Sequence, residues 1–221
     1  MNRKNILVIL AICSLMIGLA VSAHASTAAI ASYDILHTPE SGWQNWYHTY
    51  NGTITSDGGD YYNYSGGSGT INDGVIGTSE SVAHLFSIQA SPVITLNLDG
   101  SYTTNSIEIY GGDMENNCIP GNLFSVKVTI GGISAVLFST PSGNSNDLFT
   151  ITGSALDGLL TSQIVLSDFI SDNPYTFMRD YFDIAEIKID GGSNPVPIPA
   201  AFWLLGTGLV GLVGLRRKFQ K

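Results

Sequence analysis

Trp43, Trp46, Tyr47, Tyr50, Tyr61, Tyr62 and Tyr64 crowd into GWQNWYHTYNGTITSDGGDYYNYSGG, residues 42–67, interleaved with Asn, Asp and Gln. That mixture suits a sugar-binding surface, where a ring stacks on the C–H face of a pyranose and amides or carboxylates fix its hydroxyls. Trp43 and Trp46 are therefore the expected ligand-binding residues. The same rings are good strand formers, so a strand-loop-strand packed on a β core is the alternative. Catalytic chemistry is thinly represented. His37, His48 and His84 have no Cys or Ser elbow beside them, and there is no H-E-x-x-H, G-x-S-x-G or phosphate-binding loop. No carboxylate is marked by an apolar surround as a glycosidase acid would be. No catalytic residue is assigned: His84 in VAHLF is expected as a satisfied strand residue, and Asn51-Gly52-Thr53 as a hairpin turn.

Charge narrows the partners. The chain carries a formal −9 over 221 residues, but six of its nine Lys and Arg lie in the two end segments. Between them only Lys127, Arg179 and Lys188 oppose all 18 Asp and Glu. Such a surface repels nucleic acid and anionic lipid and offers hard oxygen ligands to cations. No nucleic-acid partner is expected.

These side chains must be held by strands. Between residues 26 and 193 there is almost no 3.6-residue periodicity, whereas LFSVKVTI alternates Phe124, Val126, Val128 and Ile130 against Ser125, Lys127 and Thr129. Similar runs occur at 93–98, 105–110, 134–139, 148–153, 162–167 and 183–190, separated by turn signals at Asp99-Gly100, Gly111-Gly112, Gly131-Gly132 and Pro141-Ser142-Gly143. An all-β antiparallel sandwich is expected, with one short helix candidate at 154–160.

The ends read differently. Residues 1–25 have a basic n-region at Arg3 and Lys4, an apolar run from 6 to 21, and Ala23 and Ala25 flanking His24, the pattern of a signal peptide cleaved after Ala25. An uncleaved anchor is the alternative. Cys13 is poorly placed for lipoprotein processing, and cleavage leaves Cys118 as the one cysteine, with no internal disulfide. The tail occupies 194–221: an uncharged segment at 196–215, about 30 Å long as a helix, then a basic stretch at 216–221. Positive charge at Arg216, Arg217 and Lys218 would stay cytoplasmic, placing the acidic domain outside. Length and charge alone do not separate a permanent anchor from a processed signal.

The motif Pro197-Ile198-Pro199-Ala200-Ala201, followed by Trp203-Leu204-Leu205-Gly206 and ending in Arg216-Arg217-Lys218, resembles the VPLPA variant of the PEP-CTERM sorting signal. Ile198 stands where Leu is usual. The resemblance implies an exported protein of a Gram-negative, polysaccharide-producing bacterium. It also implies transient membrane attachment, cutting by an exosortase near the proline motif, and delivery to the cell surface or extracellular matrix.

A second resemblance covers 66–191. The loop GGSGTINDGVIGT, the pair VITLNLDGSYTTNSIEIYGG and FSVKVTI, and the closing YFDIAEIKIDG are similar to the discoidin, or factor V/VIII type C, domain. That likeness implies a galactose-binding-like jelly roll and assigns no place to 26–65. It also implies a structural calcium, carried onto Asp73 of the loop and Glu186 of the last strand. An Asn-, Asp- and Gly-rich loop has the oxygens such an ion needs, while Asp-Gly also serves as an ordinary turn. Phe182 and Ile184 share one parity and Ile187 and Ile189 the other, so a bulge is expected near Ala185 and Glu186. Together these features imply a non-catalytic, matrix- or biofilm-associated protein binding extracellular polysaccharide. The alternatives are a structural envelope component without a specific ligand, and a glycan-acting enzyme.

Overall fold

The computed structural model describes residues 26–77, 81–111, 123–141, 146–171 and 180–193. The expected signal peptide with Ala23 and Ala25, the tail from 194 with its proline motif and basic end, and Cys118 all lie outside them. Twelve strands form: β1 (Ser26–Ala28), β2 (Ile30–Pro39), β3 (Thr53–Ser56), β4 (Tyr61–Gly67), β5 (His84–Ser87), β6 (Val93–Tyr110), β7 (Leu123–Ile130), β8 (Ile133–Pro141), β9 (Asn146–Thr150), β10 (Leu160–Ser171), β11 (Tyr181–Ile184) and β12 (Glu186–Ser193). Among the described residues the remaining elements are short 3-10 turns, and no helix is long and apolar enough to cross a membrane. The helix candidate at 154–160 is a run of tight turns, with Asp157 N–H bonded to Ser154 O and Leu159 N–H to Leu156 O.

The all-β sandwich is organised by β6. Its first half pairs with β2 through Tyr33↔Leu96 and Ile35↔Ile94, and with β10 through Leu166↔Ile94. Its second half pairs with β12 through Ile187↔Ile109 and with β9 through Phe149↔Ile107. The turn expected at Asp99-Gly100 does not form. Asp99 N–H is bonded to Ala29 O at 3.0 Å, and the chain continues as one 18-residue strand. Partner ladders on both edges of each half outweigh a two-residue turn preference. Every second residue of β6 is buried along much of its length, and Ile94, Leu96, Ile107, Val126, Ile164 and Leu166 are fully enclosed. Each such side chain contributes about 1.5–3 kcal/mol.

Three further differences from the sequence reading have local causes. Residues 26–65 are integral: β1 pairs with β12, β2 lies between β6 and β4, and Tyr33 and Ile35 are wholly buried. In β7, Phe124 faces solvent at 48% exposure while Ser125 is buried. Alternation breaks there because the β7–β10 register shifts between Ser167 and Ser171, and Asp147 Oδ2 takes the Leu123 N–H at 2.6 Å. Asn51 makes no tight hairpin turn; it pairs across to Ser68, its N–H donating to Ser68 O and its Oδ1 accepting from Ser68 N–H. By contrast Gly131-Gly132 does close the β7–β8 hairpin, with φ of 57° and 84° between the paired Ile130 and Ile133, a conformation that costs glycine little.

β5 and β11 form a separate ribbon that works as a partition. Phe86 and Phe182, opposite each other, pack into the main core, while Leu85 and Ala185 pack with Trp46 in a second, smaller cluster. At Ala185 the chain leaves β5 and joins β6 as β12, its N–H donating to Tyr110 O at 2.7 Å. The parity change between Ile184 and Ile187 falls at this handover.

Candidate functional site

An open cleft of about 450 Å³ lies between the loop after β2 and the β3–β4 turn, lined by Glu40, Ser41, Gly42, Trp43, Gly59, Asp60 and Tyr62. Both walls are braced by their own backbone. Gly42, at φ 96°, donates to Trp46 O at 2.6 Å and starts the single 3-10 turn Trp43–Asn45, in which Trp46 N–H returns to Trp43 O. Opposite, Asp57 Oδ1 accepts from Gly59 N–H at 2.9 Å, and Asp57 N–H bonds Tyr61 O.

Trp43 keeps a usable face. Its ring stacks on Tyr181 of β11 at 5.7 Å and 27°, yet the residue remains 38% exposed. Trp46, three residues on, is 8% exposed and packs with Ala83, Leu85 and Ala185. Of the two tryptophans expected to meet a sugar, only Trp43 therefore presents a ring to the cleft; Trp46 anchors the loop beneath it. Glu40 and Asp60 are exposed beside Trp43, and the Tyr62 hydroxyl lies near the Glu40 carboxylate. Glu40, as an acceptor for the hydroxyl proton and as a negative charge, raises the Tyr62 pKa above its ordinary value. Tyr62 belongs to the aromatic stretch named in the sequence, whereas Glu40 and Asp60 were not singled out there. The available signal was Tyr62 in the aromatic stretch and Asp60 beside it.

Under the loop runs a column of rings. His48 and His84 stack at 3.6 Å and 7°, His84 stacks on Phe86 at 4.5 Å, and Phe86 on Phe182 at 4.9 Å. His48 Nε2 is 2.7 Å from the Tyr64 hydroxyl, and His84 Nε2 is 2.7 Å from Thr38 Oγ1. His84 is the buried strand residue expected, except that its Nδ1 has no hydrogen-bond partner. Burial lowers the pKa of His48 to about 4; burial and the nearby His48 hold that of His84 well below the usual imidazole range. Both rings are neutral at physiological pH. Ser41 ties this column to the cleft, its hydroxyl donating to His48 O at 2.9 Å and accepting from His48 N–H at 3.1 Å.

In a different place, Glu186 reaches the loop that carries Asp73. Glu186, 6% exposed at the start of β12, accepts from Gly74 N–H at 2.9 Å, while Asp73 Oδ1 accepts from Val75 N–H at 2.8 Å. Burial raises the Glu186 pKa, the Gly74 N–H opposes the shift, and the Asp73 charge reinforces it. No group of three or more His, Cys, Asp and Glu converges among the described residues, so a cation here would rely on carbonyls and water for most of its ligands.

No family model matches the chain, and no curated protein sequence matches it. Several of the solved structures it is similar to are carbohydrate-binding modules. A family 32 module of NanJ from C. perfringens, in complex with galactose, is 12% identical with a TM-score of 0.37 over 54% of this chain and 81% of that one. A CBM32-5 module from Clostridium perfringens, in complex with GalNAc-β-1,3-galactose, is 14% identical with a TM-score of 0.39, over 66% and 96%. The CBM32 of AlyQ, in complex with 4,5-unsaturated mannuronic acid, is 14% identical with a TM-score of 0.36, over 54% and 81%. At these values the fold rests on its own strand register and the site on its own geometry.

Proposed function

We propose that this is an exported, non-catalytic polysaccharide-binding protein whose cleft at Glu40, Trp43, Asp60 and Tyr62 holds the glycan. The observation that carries the reading is Trp43: a large aromatic ring, braced from behind by Tyr181, left partly bare at the rim of an open cleft lined by carboxylates and hydroxyls. A pyranose offers an apolar C–H face to such a ring and hydroxyls to such oxygens, and a rigid ring loses little entropy on binding. The two carboxylates stand exposed in an open groove, unlike the enclosed apolar pocket that a general acid needs, which favours binding over turnover.

Export and surface delivery rest on the sequence of the ends, with the tail read as a substrate for an exosortase that delivers the acidic domain to the cell surface or extracellular matrix. Calcium at Asp73 and Glu186 belongs to the same proposal as a structural ion, supported by the buried Glu186 carboxylate reaching the backbone of the loop that carries Asp73. A glycan array probed with the full chain, with and without calcium, tests the function. Retention of a defined oligosaccharide that Trp43→Ala loses supports it. An array blank under both conditions favours a structural envelope component, and turnover of an arrayed glycan establishes an enzyme instead.

A further inference from the structure

The hydrogen-bonding groups of the cleft are unbalanced, and the imbalance bears on which glycans fit. Four of its donors are already committed within the protein. Gly42 N–H is bonded to Trp46 O, Trp43 N–H to Glu40 O at 3.2 Å, Gly59 N–H to Asp57 Oδ1, and the Ser41 hydroxyl to His48 O. The Tyr62 hydroxyl is a further side-chain donor of the lining, and it sits beside the Glu40 carboxylate. The carboxylates of Glu40 and Asp60 remain, each with several acceptor lone pairs and no donor of its own, beside the single indole N–H of Trp43. Positive charge is absent from the lining. The two lysines among the described residues are engaged elsewhere, Lys127 with Asp168 at 3.2 Å and Lys188 over the Tyr110 ring at 4.9 Å.

A uronate or sulfated sugar would bring further acceptors and negative charge to a surface that answers neither. A neutral sugar satisfies the carboxylates through hydroxyls. A hexosamine with a free amine does more: its ammonium supplies three donors, makes charge-assisted bonds to Glu40 or Asp60, and is attracted to the face of the Trp43 ring. Resting on the glycan-binding reading above, we infer that the cleft selects polysaccharide bearing free, protonated amines, such as a deacetylated hexosamine polymer, and rejects anionic glycans.

Calorimetric titration of the full chain tests this, using oligosaccharides of equal length made of glucosamine, N-acetylglucosamine, glucose or galacturonic acid, at a pH that keeps the amine protonated. The expected result is binding of the glucosamine oligomer about 10-fold tighter than the acetylated or glucose oligomers, an advantage that shrinks with added salt, and no binding of galacturonate. Glu40→Gln and Asp60→Asn should weaken glucosamine binding more than glucose binding, so that the advantage disappears, with the unfolding midpoint retained. Equal affinity for the glucosamine and acetylated oligomers, or any galacturonate binding that Trp43→Ala abolishes, overturns charge selection and leaves glycan binding intact. Failure of all four ligands overturns the glycan-binding reading itself, and this inference with it.

Discussion

Trp43 and Trp46 lie three positions apart in one loop and do opposite work. Trp46 is enclosed with Leu85 and Ala185, so Trp46→Ala should cost about 3–5 kcal/mol, read as a lowered urea midpoint. Trp43→Ala loses only a stacking partner and should cost about 1 kcal/mol. The histidine pair adds a pH dependence. With His48 and His84 depressed below the ordinary 6.5, the unfolded chain binds more protons than the folded one as pH falls from 6.5 toward about 4. Stability is therefore fully present above that window and declines through it, by about 1.4 kcal/mol per pH unit for each histidine. Unfolding midpoints measured between pH 7 and 4 check this: His48→Gln should roughly halve the slope, and a flat wild-type profile would show that the two rings do not control it. The division of roles between the two tryptophans was not legible in the sequence. Alternation reports which residues are inward, but whether an aromatic in a loop faces a core or a cleft depends on what the chain brings over it, here β11 from more than a hundred residues away.

Strand-level order was far more readable, because period-2 patterning follows directly from a half-buried pleat. β7, β10 and the Gly131-Gly132 hairpin are where the pattern puts them. The misreadings occur where pairing overrides local chemistry: Asp99-Gly100 absorbed into β6, and Phe124 turned outward by a register shift. The handover at Ala185 shows the converse, a topological event that leaves a trace in side-chain parity. It also delivers Glu186 to the loop carrying Asp73, a pairing the spacing of 113 positions could not reveal without the family resemblance. Without a cation, the raised pKa of Glu186 means that its ionised form is disfavoured by folding, so stability falls as pH rises through its titration. A bound calcium reverses that sign. Chelation of the wild type should lower its melting temperature, and Asp73→Ala or Glu186→Ala should abolish the response; a wild-type midpoint indifferent to chelator would remove calcium from the proposal.

For the molecule as a whole, charge and the two ends carry the functional reading, and the folded domain supplies the surface. The acidic excess, concentrated between two basic termini, suits a domain held away from anionic lipid. The proposed processing at the tail predicts that replacing Pro197, Pro199, Ala200 and Ala201 leaves a longer species in the membrane fraction, visible by immunoblot, whereas the unaltered chain yields a shorter product. Identical fractionation of the two would show the motif to be part of a permanent anchor. The central claim, that Trp43 presents a glycan-binding face, is tested most directly by titrating the wild type and Trp43→Ala with the oligosaccharide that the array selects. At least a 10-fold loss of affinity with the unfolding free energy lowered by no more than about 1 kcal/mol is the expected outcome, and a Trp43→Ala variant that binds as tightly as the wild type would contradict it.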